Sequence, residues 1–269
     1  MRNRYLYFIC FAVCTLSVFS CNTNKTEDNK VKEEPTVPSL KFQIIDTLSH
    51  DMGAFTEGLE FVNNKLYEST GSPDDSTKSI IGIVQKSGTL DQKVLLDQKY
   101  FGEGMTILKG KVYQLTYKDQ LGFVYEYPSF KKITEFKYNS LEGWGLTNDG
   151  TYLIMSDGTP TLTFINPNGF GAEKTINVKS NGYGQTNVNE LEYVNGFIYA
   201  NIWQTNKIIK IDAKSGEIVA SADLSALKNY VNSIYPKSME MNGIAYDSTS
   251  KDFYITGKMW PKLFKLRFE

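Results

Sequence analysis

From residue 41 to its end the chain is filled by short runs that alternate apolar and polar positions, separated by Gly, Asn, Asp and Ser. Period-two alternation of this length predicts half-buried β-strands, and the separators predict tight turns. One pattern recurs: a small or acidic corner, an apolar pair, a turn, then a strand carrying an aromatic residue. It reads Gly58-Leu59-Glu60-Phe61 with Leu66-Tyr67, Gly104-Met105-Thr106-Ile107 with Val112-Tyr113, and Gly145-Leu146-Thr147 with Tyr152. It returns as Glu190-Leu191-Glu192-Tyr193 with Ile198-Tyr199, and as Gly243-Ile244-Ala245-Tyr246 with Phe253-Tyr254. Asn63-Asn64, Lys109-Gly110, Asp149-Gly150 and Asn195-Gly196 stand where a two-residue hairpin demands positive φ. A further alternating strand follows each copy, at residues 80–85, 122–127, 162–166, 207–212 and 263–268.

Marked by Leu59, Met105, Leu146, Leu191 and Ile244, the repeat has a period of about 40 to 50 residues, the length of a four-stranded propeller blade. Five copies predict an all-β, five-bladed β-propeller of four-stranded antiparallel blades. Residues 41–48 form a strand with no local partner. Joining the last blade would close the ring and remove a sheet edge. A β-sandwich is the alternative architecture, but it would not repeat its corner sequence five times. Residues 224–233 carry the one helical period, in an insertion between the fourth and fifth copies.

The N-terminus departs from this pattern. Met1-Arg2-Asn3-Arg4 is basic, an apolar run follows to Phe19, and Val18-Phe19-Ser20-Cys21 resembles a bacterial lipoprotein processing site. The expected organisation is a signal peptide at 1–20, a polar tether at 21–39 beginning with a lipidated Cys21, and a propeller domain at 40–269. All three cysteines, Cys10, Cys14 and Cys21, lie in the leader and its cleavage site, so the domain must rest on its core rather than on disulfides. The expected location is the bacterial cell envelope, with membrane contact through the lipid alone and a monomeric domain.

Charge and composition then exclude several chemistries. The chain carries 29 Lys+Arg against 30 Asp+Glu, and losing Arg2 and Arg4 with the leader makes it more acidic, so nothing attracts nucleic acid. A single histidine, His50, leaves no Ser-His-Asp system and no His/Cys cluster for zinc. Beside Asp51 and Gly53, His50 is expected to be an exposed turn residue without a catalytic role.

In a propeller the corners before the innermost strands converge at one mouth of the central channel. They would bring together Phe55 and Glu57, Phe101 and Glu103, Glu142 and Trp144, Asn189, Glu190 and Glu192, and Asn242, with Tyr117, Trp203 and Lys258 close by. Each has a plainer reading: turn carboxylates that accept backbone N–H groups, core tryptophans (the preferred reading for Trp260), and a solvated lysine.

These segments, in order, resemble the β-propeller glutaminyl-peptide cyclotransferases of plants and bacteria. The resemblance is carried by Phe55-Thr56-Glu57-Gly58-Leu59, Tyr67-Glu68-Ser69-Thr70-Gly71, Tyr100-Phe101-Gly102-Glu103-Gly104-Met105-Thr106 and Gly143-Trp144-Gly145-Leu146. Ser156-Asp157-Gly158-Thr159, Asn189-Glu190-Leu191-Glu192-Tyr193, Ala200-Asn201-Ile202-Trp203-Gln204-Thr205 and residues 256–264 complete it. It implies conversion of an N-terminal glutamine to pyroglutamate with loss of ammonia, an acidic catalyst at Glu103, donors at Asn189 and Lys258, and an aromatic pocket of Phe55, Phe101, Trp144 and Trp203. Glu57 and Tyr117, which complete the expected substrate-binding set, depart from the plant pattern, where glutamine and tryptophan stand.

That chemistry suits the residues. Ring closure is intramolecular, so the enzyme mainly holds a near-attack geometry. Lys258 and Asn189 would donate to the oxyanion, while Glu103, its pKa raised by burial, would carry the proton from the amine to the leaving nitrogen. No cofactor or metal is expected in catalysis, although a structural calcium is compatible with the acids. Two other readings stand beside this one: a lipid-anchored propeller that binds without catalysis, and a metal-dependent hydrolase of the lactonase kind using Glu57, Glu103 and Glu142.

Overall fold

The computed structural model describes residues 37–74 and 77–269. The predicted leader, its cleavage site, Cys21 and nearly all of the tether lie outside the described residues. Pro38 and Ser39, at the end of the tether in the compositional reading, lie along an outer strand, where Ser221 N donates to the Pro38 carbonyl at 2.9 Å and Leu40 N to the Ser221 carbonyl at 2.9 Å.

Five four-stranded antiparallel sheets form the five blades of a β-propeller. Blade 1 comprises Thr56–Val62, Lys65–Thr70, Ile80–Val84 and Leu90–Leu95; blade 2 comprises Gly102–Leu108, Lys111–Thr116, Leu121–Glu126 and Lys132–Lys137. Blade 3 comprises Leu146–Asn148, Leu153–Met155, Thr161–Ile165 and Ala172–Asn177, and blade 4 Val188–Val194, Phe197–Ile202, Lys207–Asp212 and Ile218–Asp223. Blade 5 is built from Met241–Asp247, Asp252–Gly257 and Lys262–Phe268, and its outermost strand is Phe42–Ser49, paired antiparallel from Phe42↔Phe268 to Ser49↔Lys262. The N-terminal strand therefore closes the ring. Asn63, Asn64, Lys109, Gly110, Asn195 and Gly196 all have positive φ, the type I′ requirement, whereas at Asp149-Gly150 only the glycine does. The inserted helix is Ser225–Ile234.

The apolar faces meet between blades. Tyr67, Ile81 and Val94 pack on Met105, Val112 and Phe123; Tyr113, Leu115 and Phe136 on Leu146, Leu153 and Met155. Phe164 and Ile176 pack on Val188, Leu191 and Ile198, and Tyr199 and Ile208 on Met241, Ile244 and Phe253. The seam between blades 5 and 1 is thinner: Leu59 and Leu66 against Ala245 and Leu263, with Phe61 stacked on Tyr254 at 5.2 Å.

His50 reinforces that seam, contrary to the expectation of an exposed turn residue. It is only 6% exposed. Its Nδ1 lies 2.8 Å from the Trp260 carbonyl, and its Nε2 3.1 and 3.2 Å from the two oxygens of Glu68, which also accepts from Thr56 Oγ1 at 2.7 Å. Both ring nitrogens face acceptors, so the ring is an imidazolium. Burial works against that charge, but the Glu68 carboxylate outweighs it and the pKa lies above 6.5. Sequence missed this because Glu68 is eighteen residues away, in the second strand of blade 1, and nothing local marks it as a partner.

Candidate active site

Four of the five innermost strands carry a β-bulge at their entry, between Thr56 and Gly58, Gly102 and Met105, Val188 and Leu191, and Met241 and Ile244. A bulge re-aims the extra residue out of the ladder. The two positions before the marker residues thus become Glu57-Gly58, Glu103-Gly104, Asn189-Glu190 and Asn242-Gly243, with Trp144-Gly145 at the start of blade 3. The first position of each pair supplies a ring of side chains around the channel entrance: Glu57, Glu103, Trp144, Asn189 and Asn242.

The second position explains the glycines. A Cβ on Gly58 would lie 2.7 Å from Met105 N, one on Gly104 2.4 Å from Leu146 N, and one on Gly145 2.2 Å from the Asn189 carbonyl. Neighbouring inner strands approach too closely for a side chain there. In blade 4 the position is Glu190. Its fully buried carboxylate accepts from Leu59 N of blade 1 at 3.0 Å and from Ile244 N of blade 5 at 2.7 Å. Glu192 similarly accepts from Tyr246 N at 3.0 Å. Both carboxylates serve backbone N–H groups, of other blades rather than of their own turns, and burial pushes both well above the usual carboxylate range.

In blades 2, 4 and 5 a second side chain reaches the same mouth. The N–H just beyond the second strand donates to a carbonyl just before the bulge: Gly71 to Phe55 at 2.8 Å, Tyr117 to Phe101 at 3.0 Å, Trp203 to Asn187 at 2.9 Å and Lys258 to Glu240 at 2.9 Å. This repeated bond places Tyr117, Trp203 and Lys258 beside the ring. The result is a cavity of about 360 Å³ lined by Phe55, Glu57, Phe101, Glu103, Tyr117, Trp144, Asn189, Trp203 and Lys258. Every catalytic and substrate-binding candidate in the domain is brought together here. Ser72 and Pro73, on the loop after Gly71, complete the lining; no chemical signal in the sequence marks them. A larger groove of about 640 Å³ flanks the seam between blades 5 and 1, but its charged lining residues are only Asp46, Lys65, Lys86 and Lys265, and none of the convergent ring is there.

One wall is aromatic. Phe55 meets Phe101 edge to face at 6.0 Å, Phe101 lies 5.9 Å from Tyr117, and Trp144 meets Trp203 at 5.6 Å and 75°. Glu142 accepts from the Trp144 indole N–H at 3.0 Å and fixes that ring. Gly71 and Gly158 leave room for the rings, since a Cβ would lie 2.1 Å from Phe101 and 2.7 Å from Trp144 respectively. Trp260 is fully buried in the core behind Lys258 and is absent from the cavity lining.

The other wall is ionic. Lys258, only 7% exposed, has its Nζ 2.7 Å from Glu57 Oε1 and 4.5 Å from the centre of the Phe55 ring. Glu57 Oε2 accepts from Asn242 Nδ2 at 3.1 Å. Burial raises Glu57 to about 7, against the pull of Lys258. Burial alone would lower Lys258, but the carboxylates of Glu57 and Glu103 outweigh it and hold the ammonium above its usual value. Glu103 is 5% exposed, and its carboxyl has no hydrogen-bond partner among the described residues. Burial first, then the charge of Glu57, push it well above the ordinary carboxylate range, despite Lys258. The site thus offers an aromatic slot, one fixed ammonium, and a carboxyl group whose proton affinity is raised well above the ordinary carboxylate range. Among the described residues no three Asp, Glu, His or Cys side chains converge as ligands for one metal ion.

A family model described as glutamine cyclotransferase matches residues 12–268. A glutaminyl-peptide cyclotransferase of Arabidopsis thaliana is 34% identical over 231 residues, covering 85% of this chain and 72% of the plant protein. The crystal structure of Myxococcus xanthus glutaminyl cyclase superposes with a TM-score of 0.79 at 32% identity, covering 87% of this chain and 99% of that one. With the repeat, the ring and the cavity on the same residues that carry the sequence resemblance, this chain belongs to the glutamine cyclotransferase family.

Proposed function

We propose that this chain is a glutaminyl-peptide cyclotransferase, which closes the N-terminal glutamine of a peptide or protein into pyroglutamate and releases ammonia. The observation that carries this reading is the carboxyl of Glu103, buried without a hydrogen-bond partner and facing an aromatic-walled cavity beside a fixed ammonium. The glutamine stem lies between the aromatic rings of Phe55, Phe101, Tyr117, Trp144 and Trp203, which exclude water. Its α-nitrogen attacks its own side-chain carbonyl carbon. A free α-amine has a pKa of roughly 7.7 to 8.0, so a neutral fraction is present near pH 7. Lys258 Nζ and Asn189 Nδ2 donate to the oxygen on which negative charge develops. Glu103 takes the proton lost by the α-nitrogen and delivers it to the side-chain nitrogen as the carbon–nitrogen bond breaks, so ammonia leaves and no proton is consumed. Glu57 keeps Lys258 charged and in place.

The leader extends the proposal to location: export, cleavage before Cys21, lipidation of that cysteine, and display of a monomeric domain on the cell envelope by the tether. Support comes from the basic, apolar and Ser-Cys succession of residues 1–21; metabolic labelling with a radioactive fatty acid, lost in Cys21→Ala, is the expected result. Catalysis is proposed to need no metal.

The deciding measurement is ammonia release from a glutaminyl dipeptide with and without EDTA. Release that survives EDTA, with the peptide lighter by one ammonia, is expected. A folded sample that releases none would leave a binding propeller. Release abolished by EDTA would mean that the acids hold a metal.

A further inference from the structure

Behind the cavity floor, three buried side-chain polar atoms lack a partner: Asn189 Oδ1, Asn201 Nδ2 and Asn242 Oδ1. They belong to one place in the fold. In blade 4, Val188 pairs with Ile202 and Leu191 with Ala200, so the bulged residues Asn189 and Glu190 stand opposite Asn201. Asn201 Oδ1 accepts from Gly243 N at 2.9 Å, which ties it to the bulge of blade 5 next to Asn242.

The orientations of the Asn201 and Asn242 amides are set by their partners. Turning Asn201 over would put its NH2 against the Gly243 N–H. Turning Asn242 over would set its oxygen against the Thr56 carbonyl and the Glu57 carboxylate, to which its Nδ2 now donates at 3.0 and 3.1 Å. One donor and one acceptor are therefore forced to be without a protein partner, beside the second acceptor on Asn189. A buried polar atom left so loses its hydration with nothing in exchange, which is unfavourable. Two acceptors and one donor match a single water molecule, which gives two hydrogen bonds and receives one, within the usual range of partners for an internal water.

We propose that Asn201, Asn242 and Asn189 bind one internal water behind the cavity floor, and that this water holds the Asn189 amide with its NH2 group turned toward the substrate. Asn201 and Asn242 are then positioning residues for the reaction. They touch no substrate and act through the water on Asn189. The bond from the water to Asn189 Oδ1 fixes which end of that amide enters the cavity, and only the nitrogen end can donate to an oxyanion.

The kinetic part rests on the cyclotransferase reading; the crystallographic part does not. A high-resolution crystal structure of the protein is expected to show one peak within hydrogen-bond distance of all three atoms. The absence of such a peak overturns the proposal, whatever the activity. Asn201→Asp keeps the acceptor for Gly243 N but removes the donor to the water. It is expected to lower kcat by between about 10-fold and 100-fold with KM nearly unchanged, as for a misplaced catalytic group. Asn201→Ser, which loses the donor without adding a buried carboxylate, is expected to give the same split if the aspartate variant does not fold. A peak with unchanged kcat in the folded variant overturns the positioning role. If the wild-type protein proves inactive, the cyclotransferase reading falls, and the peak alone decides whether the water site exists.

Discussion

Two buried ionic clusters sit on opposite sides of the short segment Phe55–Thr56–Glu57, and they differ in one respect. In the pair of His50 and Glu68, both imidazolium nitrogens and both carboxylate oxygens have partners, and the side chains are wholly removed from solvent. In the cluster of Glu57, Lys258 and Glu103, two carboxyl groups share one ammonium and Glu103 keeps its hydrogen-bonding capacity free toward a cavity. A satisfied buried pair fixes geometry, and breaking it is costly. An unsatisfied one stores a proton with a raised pKa, which is what acid–base catalysis near neutrality requires. Burial of charge is common to both clusters; the partner missing at Glu103 is what distinguishes them.

The comparison is tested most strongly at Glu103. Glu103→Gln should retain the fold and lose ammonia release by about 10²–10⁴-fold, the usual contribution of a positioned acid–base group. A variant close to wild-type rate would remove Glu103 from that role. Glu68→Ala should do the reverse. It removes the charge that keeps the His50 ring protonated and leaves His50 Nε2 and Thr56 Oγ1 without their buried partner, which should cost about 1–3 kcal/mol in urea unfolding, while the rate per folded molecule changes far less. Equal stability in wild type and variant would show that the seam does not depend on this pair.

Two smaller effects sharpen the contrast through pH. Glu57→Gln removes the charge that raises Glu103 and frees Lys258 to face it. The acid limb of kcat/KM should therefore move to lower pH; a limb that stays in place would mean that Glu57 does not act on Glu103. For His50 the folded pKa lies above 6.5, so the native state binds the proton more tightly than the unfolded chain. Its contribution is fully present below about pH 6.5 and is lost as pH rises through the folded value. Glu57 adds to the same trend from a lower start. Its pKa rises from 4.5 to about 7 on folding, so stability falls as pH rises between those values. Unfolding free energy measured from pH 5 to 9 should decline over this range, and the part of the decline above pH 6.5 should shrink in His50→Gln.

The blade count, the closing strand, the hairpins and the cavity-lining ring were legible in the sequence, because each is written locally and then repeated. Period-two alternation sets the strand faces, Asn-Asn and Asn-Gly set positive-φ turns, and the same corner five times over must converge on one axis. For the same reason Glu57, Glu103, Trp144 and Asn189 were legible as a group: they share one position in the repeat, as do Tyr117, Trp203 and Lys258. The remaining contacts depend on pairs distant in the chain. Glu68 reaches His50 across the ring closure, Glu190 occupies the place of a glycine to bond two other blades, and Asn242 and Lys258 divide the oxygens of Glu57 between them. No periodicity records such contacts. A carboxylate reads the same in sequence whether it ends against a partner or an open cavity, and only packing decides which, because desolvation and hydrogen bonding set its proton affinity.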